Sequence, residues 1–151
     1  MPQSLAKIVV HIVFSTKKRN PYLIDRNIRA EMHAHLGGIC RDLNCPVLTV
    51  GGVEDHVHIL CALARDLSIA DVVGEIKRSS SRWIKRKGAI LTKFSWQSGY
   101  GVFSVGKSEI ERVKMCIVEQ GKHHRGKKIE EEYRTGLKAR ELEYDERYIR
   151  G

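Results

Sequence analysis

The 151-residue chain reads as an α+β domain of ferredoxin-like (RRM-like) order: an antiparallel four-stranded sheet with helices on one face, plus an added C-terminal helix. Three observations carry this. Short β-branched runs alternate with longer stretches whose apolar residues step by three and four. The resulting order is β-α-β-β-α-β-α. The helical stretches begin at side chains suited to capping, namely Asp25, Ser68 and Ser108.

Residues 5–14, LAKIVVHIVF, are predicted as the first strand, with Lys7 and His11 interrupting an apolar run. Pro21 then breaks regularity. Asp25 caps a helix through about Asn44, whose stripe of Ile28, Met32, Leu36 and Ile39 suits a core-facing helix. Residues 46–53, PVLTVGGV, form a second strand, and a tight turn at Glu54-Asp55 leads to a third, residues 56–63. Ser68, with Asp71 three positions on, opens a helix to about Lys87 in the manner of a capping box. The basic stretch 88–97 reads as a loop and residues 100–105 as the fourth strand. Ser108 is expected to cap a helix to about His124, followed by a peripheral helix over 129–143. No repeat or linker divides the chain, so residues 1–151 are read as a single domain.

Composition narrows the function. Lys and Arg number 27 against 18 Asp and Glu, a net charge of +9, which makes a polyanion the first partner to consider. No apolar run approaches the roughly 20 residues that span a bilayer, so no membrane partner is expected. The first residues lack the pattern of a secretory signal. None of Cys40, Cys45, Cys61 and Cys116 forms a CxxC pair, which argues against structural zinc and for free thiols in a reducing cytoplasm.

The sharpest chemical signal is Asp55-His56-Val57-His58. Side chains alternate along a strand, so His56 and His58 share one face while Val57 and Ile59 point into the core. Two adjacent imidazoles form two-thirds of a metal site, and one more oxygen or nitrogen ligand leaves positions open for a substrate. The plain alternative is two polar residues on a solvated sheet face. On the predicted third helix, Cys116 and Gln120 stand four apart on one face, and the Gln120 amide oxygen is a suitable hard ligand for Mg2+ or Mn2+. Basic residues cluster at Lys17, Lys18 and Arg19, and at Lys77, Arg78, Arg82, Lys85, Arg86 and Lys87, as phosphate binding requires. Ser79, Ser80 and Ser81 are candidate phosphate donors, and Trp83 is a candidate base-stacking ring or a core residue.

In order along the chain, HIVFSTKKR, DHVHIL, WQSGYGVFSV, the run Val113–His124 with its glutamine and two histidines, and EEEY near Tyr133 resemble the insertion-sequence-200 type of transposase. That family lies within the HUH endonuclease superfamily, of the single-tyrosine kind. The resemblance implies that His56, His58 and Gln120 hold a divalent metal, Mg2+ or Mn2+, against a scissile phosphate in single-stranded DNA. It implies attack by a tyrosine to leave a 5′-phosphotyrosine link, and recognition of hairpins at element ends. It implies a homodimer whose tyrosine helix serves the partner's histidines.

The chain departs from this family at the nucleophile, where Cys116, followed by Ile117, stands in place of tyrosine. Three explanations compete: a catalytically dead or domesticated DNA-binding copy, a parent protein carrying Tyr, or attack by the thiol, ranked last. Tyr100 and Tyr133 match ordinary family tyrosines and are not relocations. Rival classes are a small metal- or histidine-dependent phosphohydrolase, whose histidine-triad form is disfavoured by Leu60 where a third histidine is needed, and a structural ferredoxin-like dimer without chemistry.

Overall fold

The computed structural model describes residues 6–119. The first strand, β1 (Val9–Ser15), starts later than the sequence suggests because its partner ends at Ala62, which pairs with Val9. It also runs one residue further, to Ser15, which pairs with His56. Helix α1 (Arg26–Asp42) begins where expected: the Asp25 carboxylate accepts from the backbone N–H of Asn27 at 2.8 Å and of Ile28 at 3.1 Å. Met32, Leu36 and Ile39 are buried along its inner face, as the stripe predicted.

Strands β2 (Val47–Gly52) and β3 (His56–Ala62) form the expected hairpin, closed by a bond from Val53 N–H to the His56 carbonyl at 3.1 Å. Helix α2 (Ile69–Ile84) carries its predicted cap, with Ser68 Oγ accepting from Asp71 N–H at 3.0 Å. Strand β4 (Gly101–Ser104) completes a sheet of order β2-β3-β1-β4 in which every neighbouring pair is antiparallel. This is the α+β, ferredoxin-like topology that the element order predicted.

The basic stretch before β4 is the expected loop, with a 3-10 turn at Ile90–Lys93, and its end is packed inward. Phe94 and Trp96 are buried there, edge-to-face at 4.7 Å, and Trp96 bridges to Thr16. The Trp96 indole donates to Ser80 Oγ at 2.9 Å, and Ser80 Oγ donates to the Ile76 carbonyl at 2.6 Å. Ser80 is therefore fully buried and committed to the fold, which removes it from the candidate phosphate donors.

Alternation divides the core. Val10, Ile12, Phe14, Val57, Ile59 and Cys61 face α1 and α2. Val9 and Leu60 face the other way, against Val105 and the helix α3 (Ile110–Val118) through Val113 and Ile117. The added helix thus covers the opposite face of the sheet from α1 and α2. Burying Val113 and Ile117 contributes about 1.5–3 kcal/mol each toward holding it there. Ser108 does not cap it. Residues Lys107–Glu109 form a 3-10 turn, the extended residue before that turn is Gly106, and α3 begins only at Ile110, with no side-chain cap from Glu109. The expected continuation to His124 and the helix over 129–143 lie outside the described residues. Among the described residues, no helix is long and apolar enough to cross a membrane.

One partly buried group on α1 makes the fold sensitive to acid. Burial pushes His33 down to about 4, with the positive charge of Arg29 and the His58 ring adding to it. The unfolded chain therefore takes up this proton near pH 6.5 while the folded one resists it. Stability is fully present above about pH 6.5 and falls as the pH drops toward 4, by at most about 3 kcal/mol. Urea unfolding between pH 7 and 4 should show this loss, and His33→Gln should flatten it. An unchanged slope in His33→Gln would assign the loss to other groups.

Candidate metal centre

The centre is built on the sheet face that carries α3. The pairing Ser15↔His56 and Val13↔His58 places both histidines on the inner strands. Their rings meet edge-to-face with centroids 5.1 Å apart. The expectation that they share a face holds, with Val57 and Ile59 in the core behind them. The solvated-face alternative does not: His56 is 0% and His58 6% exposed. Burying two imidazoles on a sheet face is costly unless their nitrogens are engaged.

Each ring has a partner at Nδ1. His56 Nδ1 lies 2.8 Å from Asp55 Oδ1, and Asp55 Oδ2 lies 3.7 Å from Arg19 Nε. His58 Nδ1 lies 2.9 Å from Nε2 of His11 on β1, with the ring centroids 5.1 Å apart. With Nδ1 engaged, Nε2 is the nitrogen through which either residue would hold a cation. A ring N–H held by a carboxylate or a second acceptor is the usual support of a metal-binding histidine. The donor set thus fits a divalent cation, two-thirds complete. Among the described residues no group of three His, Cys, Asp or Glu side chains could hold a metal ion, and Gln120, the predicted third ligand, lies outside them.

Sequence reasoning missed His11, reading it only as an interruption of an apolar strand. Nothing local signals its role, because its contact with His58 spans 47 positions and depends on strand register. By its sequence Asp55 is a turn residue. Its position directly before His56 was the available signal.

The hairpin that carries the pair needs two glycines. Gly51 pairs with His58, and a Cβ there would sit 2.7 Å from Ile117 Cγ2 and 2.8 Å from the Ile117 carbonyl oxygen. Glycine is what allows α3 to close over the sheet beside the histidines. Gly52 has φ +147°, a conformation that residues with a Cβ rarely adopt.

The other predicted residues distribute unevenly. Cys116 is exposed on α3, while its neighbours Val113 and Ile117 point to the sheet. Lys17, Lys18 and Arg19 form a 3-10 turn at the end of β1, with Lys18 and Arg19 at positive φ, tied to Asp55 by the Thr16 N–H and the Arg19 side chain. Lys77 differs from the rest of its cluster. Its ammonium donates to the carbonyls of Gln97 and Gly99, each at 2.8 Å, lies over the Phe14 and Tyr100 rings, and is lowered by burial to about 8. Arg78, Arg82, Lys85 and Arg86 are exposed at helical spacing along α2 and its exit. Arg78 pairs with Glu75 at 3.2 Å. Lys87 pairs with Glu31 at 3.4 Å and lies over the Trp83 ring, itself stacked on His35.

A ferredoxin-like sheet bearing an H-x-H pair on a central strand, with a helix laid over that face, defines a protein of the HUH transposase type. The family is specific: the model described as "Transposase IS200 like" matches residues 4–120, and the chain belongs to that family. It is 29% identical over 103 residues to the transposase for insertion sequence element IS200 of Salmonella typhimurium strain LT2, covering 65% of this chain and 67% of that one. The Salmonella typhi protein of the same name matches equally. Among solved structures, a Deinococcus radiodurans R1 protein assigned as a transposase superposes with TM-score 0.62 at 21% identity, covering 80% of this chain and 95% of that one. A REP-associated tyrosine transposase bound to a REP hairpin gives TM-score 0.60 at 16% identity, covering 83% and 73%.

Proposed function

We propose that this chain is a cytoplasmic, homodimeric transposase of single-stranded DNA that recognises hairpins at element ends, with a metal-assisted cleavage centre at His56, His58 and Gln120. The observation that carries the reading is the buried histidine pair with a separate partner on each Nδ1. A bound Mg2+ or Mn2+ would offset the charge that builds on the scissile phosphate. The chain's own part is to hold the two imidazoles side by side on the sheet and to bring a nucleophile in line. In the family's chemistry that nucleophile is a tyrosine, which forms a 5′-phosphotyrosine bond and releases a 3′-hydroxyl. The phosphodiester energy is kept for rejoining, with no nucleotide cofactor.

Two features support a site shared between subunits. Cys116 is exposed on the outer side of α3, and Met115 and Val118 beside it are 58% and 66% exposed, an apolar surface suited to a second copy. The similarity to a hairpin-bound transposase supports a DNA hairpin as ligand.

The basic stripe of α2 and the histidine pair lie on opposite sides of the sheet, since α2 packs on the core face and His58 on the α3 face. A stem held along Arg78, Arg82, Lys85 and Arg86 would send its single-stranded flank around the sheet to the centre, past the turn at Lys17, Lys18 and Arg19.

Fluorescence anisotropy with a labelled hairpin, an unstructured strand and a blunt duplex tests this reading. Preference for the hairpin is expected. The triple substitution of Arg82, Lys85 and Arg86 by Ala should weaken binding and reduce the salt slope by about 0.7–0.9 per lost phosphate contact. Equal, weak binding of all three DNAs would sink the hairpin reading.

A second reading rests on Cys116: a DNA-binding module of the same fold that has lost strand transfer. It shares the hairpin and metal predictions and differs only in forming no covalent adduct.

A further inference from the structure

The metal-centre reading assigns His56 and His58 as ligands, and the geometry around them points to a third histidine that acts through one of them. We propose that His11 is a positioning residue: its Nε2 accepts the Nδ1 proton of His58 and so holds His58 in the tautomer whose Nε2 lone pair is available to a metal. This inference rests on the proposed metal centre.

His11 sits on β1 opposite Leu60, one step diagonally from the Val13↔His58 pair, which is within reach of two aromatic rings. The rings are inclined at 28° with centroids 5.1 Å apart and meet end-on, His11 Nε2 lying 2.9 Å from His58 Nδ1. Exactly one proton can occupy that contact when both rings are neutral. If it belongs to His11, His58 must carry its own proton on Nε2, where a ligand needs a lone pair. If it belongs to His58, Nε2 is ready for a cation and His11 carries its proton on Nδ1. An imidazole in water favours the proton on Nε2, so an acceptor at Nδ1 is what tips the balance.

The two ligands are therefore supported differently. Asp55 gives His56 an anionic acceptor, itself near Arg19, whereas His11 gives His58 a neutral one. A neutral acceptor fixes the tautomer without adding a second negative charge beside a site that must admit a phosphate.

The test uses the full chain with Mn2+ as probe. His11→Phe keeps an aromatic ring but deletes the acceptor, and His11→Gln restores an acceptor oxygen. Isothermal titration should show His11→Phe binding Mn2+ about 10–100-fold more weakly, with His11→Gln recovering most of the affinity. Long-range 15N–1H spectra of the metal-free chain should place the His58 proton on Nδ1 in the native protein and move it toward Nε2 in His11→Phe. If His11→Phe does not fold, His11→Leu replaces it, with thermal unfolding as the control. Full Mn2+ affinity in His11→Phe, or a native His58 proton on Nε2, would overturn the proposal. A native chain that binds no Mn2+ would sink the metal centre itself, and the metal-free spectra would still decide whether His11 sets the tautomer.

Discussion

Cys116→Tyr is expected to turn a chain that gives no covalent product into one that forms a protein–DNA adduct. The assay is a denaturing gel with single-stranded hairpin oligonucleotides from the DNA flanking the gene, in Mg2+ or Mn2+. Removing the nucleophile from a site that acts as a unit costs several orders of magnitude, so the gain should be at least about 10³-fold over the native chain. The physical case is one of reach: a phenol extends several ångströms further than a thiol from the same helix position, and a nearby cation would offset the cost of ionising its hydroxyl, whose pKa of about 10 lies above that of a thiol. Substitution at residue 116 is sterically permitted because the side chain is exposed. An adduct formed by the native chain would make the thiol the nucleophile. No adduct from either chain, with tight hairpin binding retained, would favour the binding module.

Gly52→Ala should be the most damaging small substitution near the centre. Gly52 ends β2 at φ +147°, and an added Cβ would overlap the His56 carbonyl oxygen and lie 2.9 Å from Val57 Cα. Both obstacles are backbone, so no rotamer change relieves them. The strained φ and the overlap together should cost about 3 kcal/mol or more. The loss falls on the hairpin that presents His56, so Mn2+ affinity should fall together with the unfolding midpoint in urea. Gly38→Ala is the matched control, because a Cβ there meets nothing within 4 Å and helix propensity favours alanine. A Gly52→Ala chain with native stability would show that the hairpin can rearrange around the added methyl.

Much of this molecule could be read locally. Asp25 and Ser68 cap their helices as predicted because capping depends on a side chain and the next few N–H groups. The third predicted cap did not hold: Ser108 falls within the 3-10 turn Lys107–Glu109, and α3 begins at Ile110 and packs Val113 and Ile117 on the sheet. By its sequence Ser80 is one of three candidate phosphate donors; the fold commits its hydroxyl to the Trp96 indole, sixteen positions on, and to the Ile76 carbonyl. Lys77 looked like its basic neighbours, and only the fold turns its ammonium inward onto two carbonyls.

By itself the sequence determined the element order, two helix starts, the hairpin and the pairing of His56 with His58, because strand alternation and helix periodicity are properties of consecutive residues. Only the tertiary structure decided which face α3 covers, that the histidine pair is buried, and that His11 stands against His58. Those outcomes depend on strand register and on which apolar faces meet, and both are settled by contacts between residues far apart in the chain.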